Sequence, residues 1–245
     1  MNKERKTALI TGGSKGIGFA TAKLFIENGY NVLITGRTEE RLKEAVKKLE
    51  SDRCAYILWD VADVNKAPEA INKAHSVFGN IDIFVNNAGI VHKEDMTGTD
   101  FLEKTEQAWD ETMNINLKGM FFALQVQTKY MIEKGIKGHI VNVCSEVGFR
   151  AAFNAYRISK WGVRAMTMGI AKNISQYGII LNGVAPGETA TSIFGDGMED
   201  IAIKINSPRG ERAMPSEIAE TIYFLAHSKN IIGEIVVSDG GRSLY

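Results

Sequence analysis

Cysteine, proline and histidine are all scarce in this 245-residue chain, with 2, 4 and 4 copies. Cys54 and Cys144 stand too far apart to suggest a disulfide framework or a cysteine-based metal site. His75, His92, His139 and His227 are scattered, and no metal ligation is expected of them. Charge of one sign is lacking as well, since 29 basic residues face 29 acidic ones. That balance gives no electrostatic footprint for nucleic acid or for an anionic membrane surface. No uninterrupted apolar run reaches the length of a membrane span. The charged start, Met1 to Lys6, has no apolar stretch behind it, so no secretory leader is expected. Few cysteines and no leader fit a reduced, cytoplasmic setting.

The chain is 44% apolar and 24% charged, as in ordinary soluble globular proteins. Its length suits residues 1–245 as one domain with a sizeable core. Strand-like apolar runs occur at Thr7–Ile10, Asn31–Thr35, Ala55–Trp59, Ile81–Val85, His139–Val143, Ile179–Val184 and Glu234–Ser238. Helical spacing separates them: from Ile17, from a Thr38 cap, over Ala67–Phe78, over one long stretch at about 106–133, over 156–177 and over 216–226. Residues 91–105 read as polar and irregular, and 188–212 as a lid over the site with patchy helical character. Strands apolar throughout, alternating with helices, predict an α/β fold with a doubly wound parallel sheet covered on both faces. Such sheets bind ligands beyond the C-terminal ends of their strands. The unusual residues cluster there: the glycines of 12–18, Arg37, Asp60, Asn86 to Gly89, Ser145 and Pro186-Gly187.

Thr11-Gly12-Gly13-Ser14-Lys15-Gly16-Ile17-Gly18 lies between the first strand and the first helix, a context in which glycines make a phosphate cradle. A pyrophosphate can then approach bare backbone N–H groups at the positive end of a helix. This is a Rossmann-like arrangement. Arg37 follows Gly18 by 19 residues, just past the second strand. An acid about 20 residues on would bond the ribose 2′-hydroxyl of NAD, whereas arginine accommodates the 2′-phosphate of NADP. Lys15 is a second cation for that phosphate, and the expected cofactor is NADP(H). Tyr156 and Lys160 stand four apart, on one helix face. An ammonium beside a phenol favours the phenolate and is expected to lower its pKa, so that Tyr156 exchanges a proton with an alcohol or carbonyl. Ser145 ends the fifth strand, where its hydroxyl would polarise the same oxygen. Cys144 reads as a packed strand residue.

Taken together, these stretches resemble the short-chain dehydrogenase/reductase family over nearly the whole chain. Thr11–Gly18 matches the family's cofactor turn, Asn86-Asn87-Ala88-Gly89 its N-N-A-G motif, and Asp239-Gly240-Gly241 its C-terminal turn. The resemblance implies a tetrad: Tyr156 as general acid/base, Lys160 tuning it and holding the ribose, Ser145 orienting the substrate oxygen, and Asn116 anchoring a proton relay. For the cofactor it implies Gly12, Ser14, Lys15, Gly16, Ile17, Gly18, Arg37, Asp60, Val61, Asn87, Ala88, Gly89, Pro186, Gly187, Thr189 and Thr191, with Tyr156 and Lys160. The Ser145–Tyr156 interval is shorter than in many members. For substrate, the expected pocket draws on Ser145, Tyr156, Val91, His92, Phe149, Phe153, Glu188, Ile193, Phe194 and Met198. A small carbonyl or alcohol is the implied substrate, most nearly a 3-oxoacyl thioester, with a steroid, sugar or polyol as the alternative. An acyl carrier protein touching Lys137 and Lys172 is a further possible partner. Broad apolar surface over Trp109–Tyr130 and Trp161–Ile174 suggests a homotetramer or homodimer. The remote alternative is a nucleotide-sensing binding protein without turnover.

Overall fold

The computed structural model describes residues 5–96, 101–191, 205 and 207–244. Seven strands form one sheet: β1 (Thr7–Thr11), β2 (Asn31–Gly36), β3 (Cys54–Leu58), β4 (Ile83–Asn86), β5 (His139–Val143), β6 (Ile180–Pro186) and β7 (Ile235–Ser238). Their order is β3-β2-β1-β4-β5-β6-β7, and every pairing is parallel. Eight α-helices accompany them among the described residues: α1 (Gly16–Glu27), α2 (Glu39–Leu49), α3 (Ala67–Phe78), the short α4 (Lys93–Met96), α5 (Glu106–Met113), α6 (Met120–Glu133), α7 (Ala155–Ile174) and α8 (Pro215–Leu225).

Why β1 is apolar at every position follows from its place in the middle. Ala8 and Ile10 join one buried cluster with Phe25 of α1 and Ile222 of α8. Leu9, between them, joins the opposite cluster with Ile71 of α3 and Leu124 of α6. Side chains alternate across a strand, so a strand covered on both faces needs apolar residues throughout. The connections reverse direction between β1 and β4, and a crevice opens at such a switch point. No helix among the described residues is long and apolar enough to cross a membrane.

Three expected elements differ. The stretch at 106–133 is not one regular helix: a π-helical turn, Asn114–Gly119, separates α5 from α6. Gly119 packs there so closely that a Cβ would come within 2.5 Å of the Val61 carbonyl oxygen. β4 begins at Ile83 rather than Ile81, because the Ile81 N–H donates to His75 Nδ1 at 3.3 Å. The irregular segment 91–105 contains α4 and a 3₁₀ turn, Phe101–Glu103. Most of the expected lid, including Ile193, Phe194 and Met198, lies outside the described residues.

Candidate active site

A cleft of about 400 Å³ runs along the C-terminal ends of the strands. Its floor is the glycine turn. Gly12 has φ +65°, and a Cβ on Gly18 would strike the Gly12 carbonyl oxygen; only glycine fits both requirements. Thr11 Oγ1 accepts from the N–H groups of Asn87 (2.9 Å) and Ala88 (3.0 Å). The Asn87 amide donates back to the carbonyls of Thr11 (2.8 Å) and Gly12 (3.1 Å). Two strand ends are thereby fastened beneath the cleft. Lys15 occupies the N-cap of α1 without a side-chain capping bond, which leaves the first-turn N–H groups open to an anion.

At one end the wall carries Lys15 and Arg37, with Gly36, Trp59, Asp60 and Val61 beside them. Arg41, on α2, joins this end and was not foreseen. Its signal in the sequence is a third basic residue in the first turn of the helix that directly follows Arg37. Asp60 Oδ1 accepts from the Ala62 N–H at 3.0 Å, so its carboxylate also shapes the turn.

The other end carries Ser145, Tyr156 and Lys160. Asn154 caps α7, its Oδ1 accepting from the Arg157 N–H at 2.9 Å. The Tyr156 N–H donates to Asp95 Oδ2 at 3.2 Å. One turn on, Lys160 is 4% exposed; its ammonium donates to the Val143 carbonyl at 3.0 Å and lies 5.8 Å from the Tyr156 ring centre. Ser145 Oγ lies 3.5 Å from the Pro186 carbonyl oxygen and accepts from the Val147 N–H at 3.4 Å.

The electrostatics overturn one expectation. Burial pushes the Tyr156 phenol up to about 12, with smaller upward contributions from Cys144 and Glu146; only its hydrogen bond with Ser145 pulls it down. Burial likewise holds Lys160 below the usual ammonium range. Desolvation opposes the charged form of both groups and is the largest cause of each shift.

Of the expected cofactor residues, Gly12, Ser14, Lys15, Ile17, Gly18, Arg37, Asp60, Val61, Asn87, Ala88, Gly89, Tyr156, Lys160, Pro186, Gly187, Thr189 and Thr191 all line the cleft. Gly16 does not; a Cβ there would meet Thr191 Cγ2 at 3.2 Å, so it stands against that side chain instead. Asn116 is buried behind the wall. Its amide is clasped by the Ile90 backbone, donating to the carbonyl and accepting from the N–H at 2.8 Å each. Gly89 separates it from Lys160: a Cβ on Gly89 would be 3.4 Å from Asn116 Oδ1 and 3.6 Å from Lys160 Nζ.

The expected substrate residues are dispersed. Val91 lines the cleft, together with the unforeseen Ile90, Ile115, Val143 and Cys144. His92, Phe149, Phe153 and Glu188 do not. The Phe149 ring lies under the Arg164 guanidinium at 4.1 Å, and Phe153 under Arg157 at 4.8 Å. Glu188 is paired with Arg212 and Arg242. These departures share a cause: apolar and acidic residues near a site have other partners that only the fold reveals.

Such a sheet, with a bare helix N-terminus at its switch point, defines a dinucleotide-binding α/β protein. A sequence model described as short chain dehydrogenase matches residues 6–201. The chain is 35% identical to the 3-oxoacyl-[acyl-carrier-protein] reductase FabG of Thermotoga maritima, covering 98% of this chain and 99% of that protein. It is 31% identical to the 2-dehydro-3-deoxy-D-gluconate 5-dehydrogenase of Escherichia coli, covering 97% and 95%. Its fold matches ElxO with NADP bound at a TM-score of 0.87 and 31% identity, covering 98% of this chain and 100% of that one. The chain belongs to the short-chain dehydrogenase/reductase family and is an oxidoreductase of that family.

Proposed function

We propose that the protein is an NADP(H)-dependent reductase that interconverts a ketone and a secondary alcohol. The observation that carries this reading is one cleft with Lys15, Arg37 and Arg41 at one end and Ser145, Tyr156 and Lys160 at the other. Three cations suit a 2′-phosphate, and the guanidinium fork matches it bidentately. The solved structure of ElxO holds NADP, in keeping with this choice. When bound, the nicotinamide carries the hydride.

The chain's own residues handle the proton. Ser145 hydrogen-bonds the substrate oxygen and orients it toward Tyr156. A phenol pushed up to about 12 is protonated at neutral pH, so Tyr156 is poised to donate its proton to a carbonyl oxygen. NADPH as the hydride donor favours reduction as the working direction. Lys160 holds positive charge beside the phenolate that donation leaves behind, and Asn116, behind Gly89, fixes the strand-end backbone against which Lys160 lies.

A 3-oxoacyl thioester is the first substrate class to test, given the FabG relative, with an acyl carrier protein as a possible donor of it. A sugar-acid or polyol ketone is the second, given the gluconate dehydrogenase relative. The working form is a homotetramer or homodimer, and the setting is cytoplasmic.

NADPH oxidation measured against a panel of such ketones tests the reading. Tyr156→Phe should still bind NADPH and lose turnover by at least about a hundredfold. Arg37→Asp should weaken NADPH and spare NADH. Tight NADPH binding with no oxidation across the panel would instead mark a nucleotide-sensing protein.

A further inference from the structure

Glu146 is buried, 3% exposed, directly after Ser145. A carboxylate taken out of water needs cations close by. It has two. Arg150 Nη2, from the same loop, lies 2.6 Å from Oε2. Arg242 Nη1, from the far end of the chain, lies 3.1 Å from Oε1. The same Arg242 Nη1 is 2.6 Å from Glu188 Oε1, and Glu188 Oε2 is held by Arg212 Nε at 3.2 Å. Arg150 also donates to the Arg242 carbonyl at 3.1 Å. Burial pushes the Glu146 carboxyl above the usual range while both arginines pull it down.

The residues of this chain of charges sit on loops that leave three neighbouring strands. Glu146 follows β5, Glu188 follows β6, and Arg242 follows β7 through the turn at Asp239. That turn is itself locked, with Asp239 accepting from the N–H groups of Gly241 (2.9 Å) and Ser243 (2.7 Å). Its backbone presses on Gly187, where a Cβ would come within 2.7 Å of Asp239 Cα. The adenosine end of the cleft, on β1 to β3, takes no part in it.

We infer that Arg242 is a positioning residue: by bridging Glu146 and Glu188 it holds the Ser145 loop and the Gly187–Thr191 loop in register at the reacting end of the cleft. The expected kinetic consequences rest on the reductase reading above; the clamp itself does not. Misplacing a reacting group by an ångström is enough to cost a large rate factor, while nucleotide affinity changes less: Gly187, Thr189 and Thr191 line the cleft, but Lys15, Arg37 and Arg41 hold the phosphate end from other loops.

Two measurements decide it. The first is hydrogen exchange of the intact chain, with Lys43→Met as a control, since Lys43 pairs with Glu39 on the exposed face of α2. Arg242→Met should speed exchange in peptides covering both 145–149 and 187–191, and Lys43→Met should not. Unchanged exchange in either loop overturns the clamp, whether or not any ketone is turned over. The second is kinetic. Arg242→Met should lower kcat by about ten- to a hundredfold and leave the Kd for NADPH within about threefold, with Arg242→Lys recovering part of the rate. In Glu146→Gln/Arg242→Met the two losses should fall well short of multiplying, as for residues acting as a unit. Losses that multiply, or a kcat within about twofold of wild type, overturn it. A wild type that turns over no ketone removes the reductase reading, and exchange still decides the clamp.

Discussion

A lysine that is 4% exposed and holds its ammonium against a single backbone carbonyl destabilises the fold that carries it. Desolvation lowers its pKa in the folded chain, which means that the unfolded chain binds the proton more tightly. Above the depressed folded value and below the unfolded one, stability therefore rises with pH. Lys160→Met keeps the volume and removes the buried charge. It should abolish turnover yet raise the melting temperature by a few degrees, at roughly 2–4 °C per kcal/mol for a chain of this size. Calorimetry at neutral pH checks it, and a lower melting temperature would mean that the ammonium stabilises more through Val143 than its desolvation costs. Tyr156 and Lys160 were legible in the sequence because a helix fixes what four residues apart means. Their pKa directions were not: the spacing is local, whereas the burial that sets both shifts comes from the fold closing around α7. Arg242 was illegible for a similar reason, since nothing in the spacing of 146, 188 and 242 brings them together before the sheet does.

Between α3 and α6 the packing depends on a neutral histidine. His75 Nδ1 accepts from the Ile81 N–H at 3.3 Å, and Nε2 lies 3.2 Å from Gln127 Oε1. That pattern fixes the tautomer with its proton on Nε2. The ring stacks on Tyr130 with centroids 3.4 Å apart, and burial takes its pKa from 6.5 down to about 4. A second proton on Nδ1 would face the Ile81 N–H. Because the folded value lies below the unfolded one, the unfolded chain protonates first as the pH drops. His75 thus stabilises the chain above about pH 6.5, and this contribution fades as the pH falls toward about 4. Its full size is on the order of 3 kcal/mol. His75→Gln compared with wild type by urea denaturation should show a stability difference that shrinks as the pH is lowered through that window; a difference constant with pH would refute the assignment. The same helix pair shows what periodicity misses. A π turn inserts a residue without breaking the apolar pattern on either side, so 106–133 reads as one helix. The turn exists because Asn116 must reach the Ile90 backbone and Gly119 must lie against Val61, and both are contacts between distant segments.

At the scale of the molecule, a parallel sheet covered on both faces followed from apolar strands alternating with helices, whereas the order of its strands appears only in the fold. The outer faces of the helices were also readable as apolar, and the structure leaves them open. Trp109 on α5 is 42% exposed, Phe121 on α6 38%, and Trp161 and Met168 on α7 41% and 51%. Scattered apolar residues on a surface need no explanation. These four stand on adjoining elements, and Trp161 and Met168 share a helix face two turns apart. The expectation is that a second copy of the chain covers them, at the roughly 800 Å² per partner that a stable interface needs. Light scattering at micromolar concentration should therefore give a dimer or tetramer, and Trp109→Glu with Met168→Glu should shift it to monomer while keeping the Trp161 indole. The consequence reaches the site. The Trp161 indole N–H donates to the Arg150 carbonyl at 2.6 Å, and Arg150 pairs with Glu146 beside Ser145. Uncovering Trp161 loosens that strut, so specific activity should fall on dilution below the dissociation constant of the assembly and in the double glutamate variant alike. A monomeric wild type at micromolar concentration, or a monomeric variant with undiminished kcat, would break the link between assembly and the Ser145 loop.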